Sequence, residues 1–334
     1  MPYCLQDGQR YRLFRRPGAP EPLLEGTMDY LGEALAGAVP DAAERRALDA
    51  VLEGYRFPPV GWVVGGRAIP LNRPVLMGII NVTPDSFADG GRYLHPTLAV
   101  EHGLRLAGEG ADLLDIGGES TRPGAAPVSV EDELRRVLPV IEWLKGRCPL
   151  PLSIDTTKAA VAREALKAGA SVINDISALE ADPAMADAAA EGGASLVLMH
   201  RRGTPDVMQK DPHYDDLPEE VLAVLARGLA RARAAGVPDD RIAVDPGLGF
   251  GKTLEHNLWI LRHLEFLQAL GRPILVGASR KSFIGAVTHR PTDERLPGTL
   301  AAHFTAWRKG ARIFRVHDVA AHRDFFRLEE TLDA

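Results

Sequence analysis

PLSIDTTKAAVAREALKAGASVIND, residues 151–175, is a complete strand–helix–strand unit. PLSID is a short apolar run ending in a carboxylate. A helical pattern follows over 158–168. SVIND is a second apolar run, ending in Asn174 and Asp175. Short apolar runs that alternate with helical stretches read as parallel strands joined by helices. The unit repeats in both directions. Upstream, VLMGII ends at Asn81 and ADLLDIG carries Asp115. Downstream, ASLVLMH ends at His200, RIAVD at Asp245 and PILVGA in the loop Gly277–Arg280. ARIFRV ends at Arg315 and His317. Helices are expected near 97–109, 129–145, 183–191, 217–235, 254–270, 294–309 and 318–331. From Asn81 to Arg315 the strand ends recur about every 33 residues, which suits a barrel repeat. Eight units predict a closed (β/α)8 TIM barrel whose working face is the C-terminal end of its strands.

The residues ahead of the barrel read differently. YCLQDGQRYRLF predicts a hairpin turning at Asp7-Gly8. Asp41 is placed to cap a helix with apolar residues at Ala43, Ala47, Leu48, Val51 and Leu52. GWVVGGRAIPL predicts a second hairpin, around Gly65-Gly66, that plugs the bottom of the barrel. The expected division is an accessory segment over 1–60 and a barrel over 61–334.

The 334 residues are 46% hydrophobic and 25% charged, ordinary for a globular enzyme. A net charge of −6 disfavours nucleic acid as the main partner. Cys4 and Cys148 form no CxxC and no disulfide framework. The N-terminus has no apolar signal region, and no run approaches the roughly 18 apolar residues of a membrane span. A cytoplasmic enzyme without membrane contact is expected.

The strand-end loops carry the chemistry. NVTPDSFADGG (81–91) and STRPGAAP (120–127) are dense in polar residues and suit lids or ligand clamps. Asp155, Asn174 and Asp245 each end an apolar strand at the barrel mouth. Such groups suit a flat heterocycle, since a carboxylate can accept two hydrogen bonds from a guanidine-like edge. Any one of them could instead cap a helix, as Asp155 could before Lys158; three converging favour a ligand. GASRKSFIG (277–285) opens a helix and is expected to cradle an anion, with Arg280, Lys281 and Ser282 as further donors. Arg315 and His317 lie two apart, so they share a strand face and can meet the same anion, unless Arg315 pairs with Asp318. No HExxH, P-loop, GxSxG elbow or dinucleotide fingerprint occurs.

Taken in order, MGIINVTPDSF, GGESTRPGA, LSIDTTK, VINDISAL, LMH, DPGLGFGK, VGASRKSFIG and RVHDV resemble the dihydropteroate synthase family over about 74–320. The resemblance implies condensation of 6-hydroxymethyl-7,8-dihydropterin diphosphate with 4-aminobenzoate, giving 7,8-dihydropteroate and diphosphate. It implies that Asp155, Asn174, Asp245 and Lys281 hold the pterin, with Met199 lining its pocket. Asn81 would touch Mg2+. Thr121, Arg315, Val316 (by its backbone) and His317 would bind the diphosphate. Arg122, Pro123, Phe250, Lys281 and Ser282 would border the aminobenzoate. Asp155, Lys281, Arg315 and His317 would be the catalytic set, and a homodimer is the family's habit. Arg201-Arg202 and the long N-terminus depart from the family pattern. Two other readings share the barrel: a pterin-binding, corrinoid-dependent methyltransferase module, and a paralogue that binds without catalysis. Neither needs the TRPG loop, SRKS and Arg315/His317 together.

Overall fold

In the computed structural model, residues 1–7, 9–14, 21–82, 94–120, 126–204 and 207–332 are described. The chain opens with β1 (Tyr3–Asp7), β2 (Arg10–Phe14) and β3 (Leu24–Gly26), an antiparallel sheet. The ladder runs to the Asp7–Arg10 pair, so Asp7 ends a strand and is not part of the turn expected at Asp7-Gly8. Two helices follow, α1 (Met28–Ala38) and α2 (Ala42–Arg56). The expected cap is present: the Asp41 carboxylate accepts from Glu44 N at 2.7 Å. Helix α1 had no counterpart in the sequence reading; Thr27 caps it, and it buries only Leu31 and Leu35.

β4 (Gly61–Val64) and β5 (Arg67–Pro70) form the second hairpin. Gly65 and Gly66 make its two-residue turn with φ of 56° and 77°, the left-handed pair such turns require. Trp62 and Val64 point into one cluster with Val75, Met77, Leu113, Val172, Val197, Ala243, Leu275 and Ile313. Those eight come from seven barrel strands, so the hairpin closes the barrel's lower end, as expected. Trp62 Nε1 donates to Arg241 O at 3.0 Å, and Ser195 Oγ to Val63 O at 2.6 Å.

The barrel runs β6 (Val75–Asn81), α3 (Leu94–Gly108), β7 (Leu113–Gly117), α4 (Val130–Lys145), β8 (Leu152–Asp155) and α5 (Ala159–Ala168). It continues with β9 (Val172–Asp175), α6 (Met185–Glu191), β10 (Ser195–Met199), α7 (Leu217–Ala234) and β11 (Ile242–Asp245). α8 (Leu254–Arg262), β12 (Leu275–Val276), α9 (Ser282–Thr288), α10 (Leu296–Arg308), β13 (Ile313–Val316) and α11 (Val319–Leu332) complete it. The expected helix over 254–270 is divided: α8 stops at Arg262 and a 3-10 helix spans Leu264–Leu270. All eight barrel strands pair in parallel, and a bridge between Val244 and Ile274 closes the ring.

The N-terminal sheet and α2 sit on the 3-10 helix. Tyr55 Oη accepts from Cys4 N (2.9 Å) and donates to Cys4 O (3.0 Å), and Gln6 N donates to the buried Glu265 at 3.0 Å. Leu48, Val51 and Leu52 join the main core beside Leu264 and Leu267.

Candidate active site

Period two along the strands builds the site. On β7, Leu113 faces the barrel interior, so Asp115 does too. By the same parity Ser153 leads to Asp155, Val172 to Asn174 and Val197 to Met199. Ala243 leads to Asp245, Leu275 to Gly277, and Ile313 to Arg315 and then His317. The outward residues between them (Leu114, Ile154, Ile173, Leu198, Val244, Phe314) pack under the helices. An apolar floor and plug therefore carry a polar layer one step higher, at the C-terminal mouth.

Arg315 is the hub of that layer. Its Nε donates to Asp115 Oδ2 at 2.6 Å and its Nη2 to Asp155 Oδ2 at 2.9 Å. Asn174 Nδ2 donates to the same Asp115 oxygen at 3.1 Å. Asp115 is fully buried, and its Oδ1 has no hydrogen-bond partner among the described residues. A buried orphan acceptor costs roughly 1–3 kcal/mol, so this one is a strong candidate to meet a ligand donor. The alternative pairing expected for Arg315 goes elsewhere: Asp318 takes Arg280 instead, with Arg280 Nε at 3.0 Å.

Burial raises Asp155 to about 7; Arg315 pulls the other way, and Asp115 adds to the rise. Burial also raises Asp245, against the pull of Lys281. Asp245 Oδ1 accepts from Gly247 N at 2.7 Å. Lys281 is lowered to about 8 by burial, with Asp245 opposing. Its Nζ donates to Leu248 O and stands 4.4 Å from the centre of the Phe250 ring, a cation–π contact. Lys281 thus joins Asp245 and Phe250 across two loops. Met199 lies beside Asp245 in the β10–β11 register and is buried.

The loop DPGLGFGK earns its glycines. Gly247, Gly249 and Gly251 all have positive φ, and a Cβ on Gly247 would stand 1.9 Å from His200 O. Lys252, not among the predicted site residues, is buried behind this loop. Its Nζ bonds His200 Nδ1 at 2.8 Å and Phe250 O at 3.1 Å, tying the end of β10 to the Phe250 turn.

In the loop after β12, whose backbone was expected to cradle an anion, three N–H groups already have partners within the protein. Ala278 N donates to His303 Nε2 (3.0 Å), Arg280 N to Thr299 Oγ1 (3.0 Å) and Lys281 N to Ala278 O (3.1 Å). The Arg280 side chain is taken by Asp318. Lys281 and Ser282 remain at the start of α9, where Lys281 is the N-cap residue.

His317 is adjacent. Its Nδ1 pairs with Ser279 Oγ at 2.9 Å. Burial, then Arg315 and Arg280, lower it to about 4, so it is neutral at physiological pH. Val316 is buried and pairs with Gly78. Asn81 and His317 border one cavity of about 540 Å³, lined also by Leu98, Glu101, His102 and Arg105. None of Asp115, Asp155, Asn174 or Asp245 lines it, so the cavity flanks the carboxylate layer.

Thr121, Arg122 and Pro123 lie outside the described residues, as does most of the loop 81–91. The foot of the TRPG loop is described. Lys158 Nζ bonds Glu119 (2.7 Å) and the buried Glu133 (2.6 Å), and Glu119 accepts from Val128 N at 2.8 Å. So Asp155, Asn174, Met199, Asp245, Phe250, Lys281, Arg315 and His317 converge on one mouth. Sequence reading overlooked Asp115 as a site residue, although its parity with Leu113 was the available signal.

The family model described as pterin binding enzyme matches residues 77–317. The dihydropteroate synthase of Escherichia coli K12 is 46% identical over 270 residues, covering 80% of this chain and 95% of that protein. A dihydropteroate synthase of Xanthomonas albilineans, solved with 4-aminobenzoic acid, superposes with a TM-score of 0.76 at 50% identity. It covers 80% of this chain and 96% of its own. The same enzyme in complex with 7,8-dihydropteroate gives a TM-score of 0.73 at 48% identity, covering 80% and 97%. The chain belongs to the pterin-binding enzyme family, among its dihydropteroate synthases.

Proposed function

We propose that the chain joins 6-hydroxymethyl-7,8-dihydropterin diphosphate to 4-aminobenzoate, releasing 7,8-dihydropteroate and diphosphate. The observation that carries this is the inward layer of Asp115, Asp155, Asn174 and Asp245, with Arg315 bridging Asp115 and Asp155. A pterin presents N–H donors and ring-nitrogen acceptors along one flat edge. Carboxylates at the end of a closed barrel match the donors, and the Asn174 amide supplies both kinds of group. Asp155, Asn174, Asp245 and Lys281 hold the ring, beside Met199. Lys281 and Phe250, with Ser282, Arg122 and Pro123, border the aminobenzoate.

Arg315 and His317, with Thr121 and the Val316 backbone, receive the diphosphate. Departure of diphosphate leaves a cation-like exocyclic carbon, whose charge spreads into the pterin ring. The Asp155 carboxylate stabilises that charge, and the cation of Arg315 stabilises the departing oxygens. The aniline nitrogen then attacks the carbon, loses its proton and needs no covalent enzyme intermediate.

Mg2+ fits as an ion that arrives with the substrate. The Asn81 carboxamide offers a hard oxygen on the cavity that His317 shares. Mg2+ keeps several waters and takes substrate phosphates, so one protein oxygen beside a diphosphate suits it. When bound it neutralises charge on the leaving diphosphate. No group of three or more His, Cys, Asp or Glu able to hold a metal occurs among the described residues.

Residues 1–60 are proposed to be an accessory segment and 61–334 the catalytic barrel. A homodimer in the cytoplasm completes the reading. Cys4 and Cys148 are buried and unpaired, which suits a reducing compartment. The test is mass-spectrometric detection of dihydropteroate from purified protein, both substrates and Mg2+. Product that requires both substrates and disappears with EDTA is expected. Pterin binding without product would favour the methyltransferase module or the inactive paralogue.

A further inference from the structure

We propose that His303 and His322 are positioning residues for the anion side of the site, forming a buried one-way imidazole chain that locks the loop after β12 to the loop after β13. The inference rests on the assignment of Arg315 and His317 to the diphosphate.

Thr299 and His303 are four residues apart on α10, so they share a helix face, and both are fully buried. Each accepts one backbone N–H of the β12 loop: Thr299 from Arg280, His303 from Ala278. The direction of the chain follows from its ends. An amide N–H can only donate, so His303 Nε2 is an acceptor and Nδ1 carries the proton. That Nδ1 donates to His322 Nε2 at 2.8 Å. His322 therefore also carries its proton on Nδ1, which reaches Asp318 O at 2.7 Å. A carbonyl can only accept, so the chain has one consistent polarity. Both rings are neutral, and all four ring nitrogens are used.

The far end matters because Asp318 follows His317. Asp318 presents its carbonyl to His322 and its carboxylate to Arg280, while Ser279 holds the His317 ring. The two loops are thus tied three ways, and two of the ties meet at Asp318. Arg280 itself sits in the left-handed region at φ 57°, so this turn needs outside support. The rings also pack on aromatic neighbours, His303 on Phe314 at 5.2 Å. Packing alone asks for volume, not polarity. An apolar side chain of similar size would fill the space but leave Ala278 N–H buried and unpaired.

The test uses the full chain and three variants. Calorimetry measures inorganic diphosphate with Mg2+ and, separately, 6-hydroxymethylpterin, which lacks phosphate. His303→Leu is expected to raise the diphosphate Kd and the KM for dihydropterin diphosphate at least tenfold, with pterin Kd within twofold. His303→Gln keeps an acceptor for Ala278 N–H and a donor for His322, so it is expected to restore both to within threefold. His322→Leu should resemble His303→Leu. In the unmodified protein, nitrogen NMR of labelled histidine should show both rings as neutral Nδ1–H tautomers. Wild-type diphosphate affinity in His303→Leu would overturn the proposal. So would equal loss of pterin and diphosphate binding, or an Nε2–H tautomer at either ring. The tautomer measurement decides even if the leucine variants do not fold. Failure of the unmodified protein to bind diphosphate would instead refute the anion assignment.

Discussion

Asp115→Asn tests the centre of the site with little change of shape. In the native layer Arg315 is shared, its Nε on Asp115 (2.6 Å) and its Nη2 on Asp155 (2.9 Å). Asparagine keeps an oxygen for Nε but removes the charge. A hydrogen bond to a charged group contributes about 1.5–3 kcal/mol and a neutral one about 0.5–1.5, so roughly 1 kcal/mol is lost there. Relief of carboxylate repulsion opposes that loss. The expected change in stability is therefore within about 1 kcal/mol, or at most about 3 °C in Tm. The pH profile should move much more. Burial holds Asp155 at about 7, and Asp115 adds to the rise while Arg315 resists it. Below that value the carboxylate proposed to stabilise the pterin cation is protonated, so kcat/KM should fall as pH drops through about 7. Two carboxylates on one guanidinium are on the order of 5 Å apart and repel by about 3 kcal/mol at an effective dielectric near 20. Removing the Asp115 charge takes away that repulsion and leaves Arg315 to Asp155 alone. Both effects lower the Asp155 value, by at least about one unit after partial screening. The assay is kcat/KM for dihydropterin diphosphate from pH 5 to 9 in both proteins. An acid limb that stays near 7, or rises, would refute the coupling through Arg315.

Lys281, lowered to about 8 by burial, is charged below that pH and neutral above it, so kcat/KM should also fall as pH rises through about 8. Lys281→Arg, whose group does not titrate there, should abolish that basic limb in whatever activity survives; a persisting limb would assign it elsewhere. Gly247→Ala places a Cβ 1.9 Å from His200 O at φ 67°, and backbone cannot swing aside as a side chain can. We expect at least a hundredfold loss of kcat/KM and a lowered Tm, and near-native values would contradict the described turn. Trp62→Ala empties the barrel plug and should cost about 3–5 kcal/mol in denaturant unfolding. Because Trp62 sits at the opposite end from the mouth, pterin Kd in the folded variant should stay within about twofold; a large change would mean the plug shapes the site.

Legibility varied with the reach of the interaction. Strand identity and inward parity are local, so Asp155, Asn174 and Asp245 could be read directly from runs such as LSID, VIND and IAVD. Asp115 obeys the same rule but precedes Ile-Gly-Gly-Glu-Ser, so its strand does not end on a carboxylate as the other three runs do. What local pattern cannot give is which partner a charged group meets. Asp318 stands three residues from Arg315 yet pairs with Arg280, thirty-eight residues away, because Arg315 is drawn inward by two carboxylates that the barrel brings round. The same holds for the loop after β12: two of its N–H groups, those of Ala278 and Arg280, go to α10, and nothing in GASRKS announces Thr299 or His303. At the N-terminal hairpin Asp7 belongs to the strand, because the ladder that pairs Tyr3 with Phe14 runs on to Asp7 and Arg10, and the local Asp-Gly signal does not carry that register.

In the proposed assignment, Arg315 lets one mouth hold the two ends, of opposite polarity, of a single substrate. The pterin edge is a donor array and wants carboxylates, whereas the diphosphate is an anion and wants cations. A layer of carboxylates alone would repel the leaving group held beside it. A cation set between them changes the field on both sides. On its inner side, Nε and Nη2 are spent on Asp115 and Asp155 and keep those oxygens in place. No partner for Nη1 is found among the described residues, which leaves it as the donor available to an anion. Burial would strip the charge from a lysine more readily than from a guanidinium, as the contrast with Lys281 shows: burial lowers Lys281 to about 8, while its carboxylate neighbours hold Arg315 above its ordinary value. A permanently charged, planar, multi-donor group is therefore the side chain best suited to the boundary between the pterin floor and the diphosphate rim.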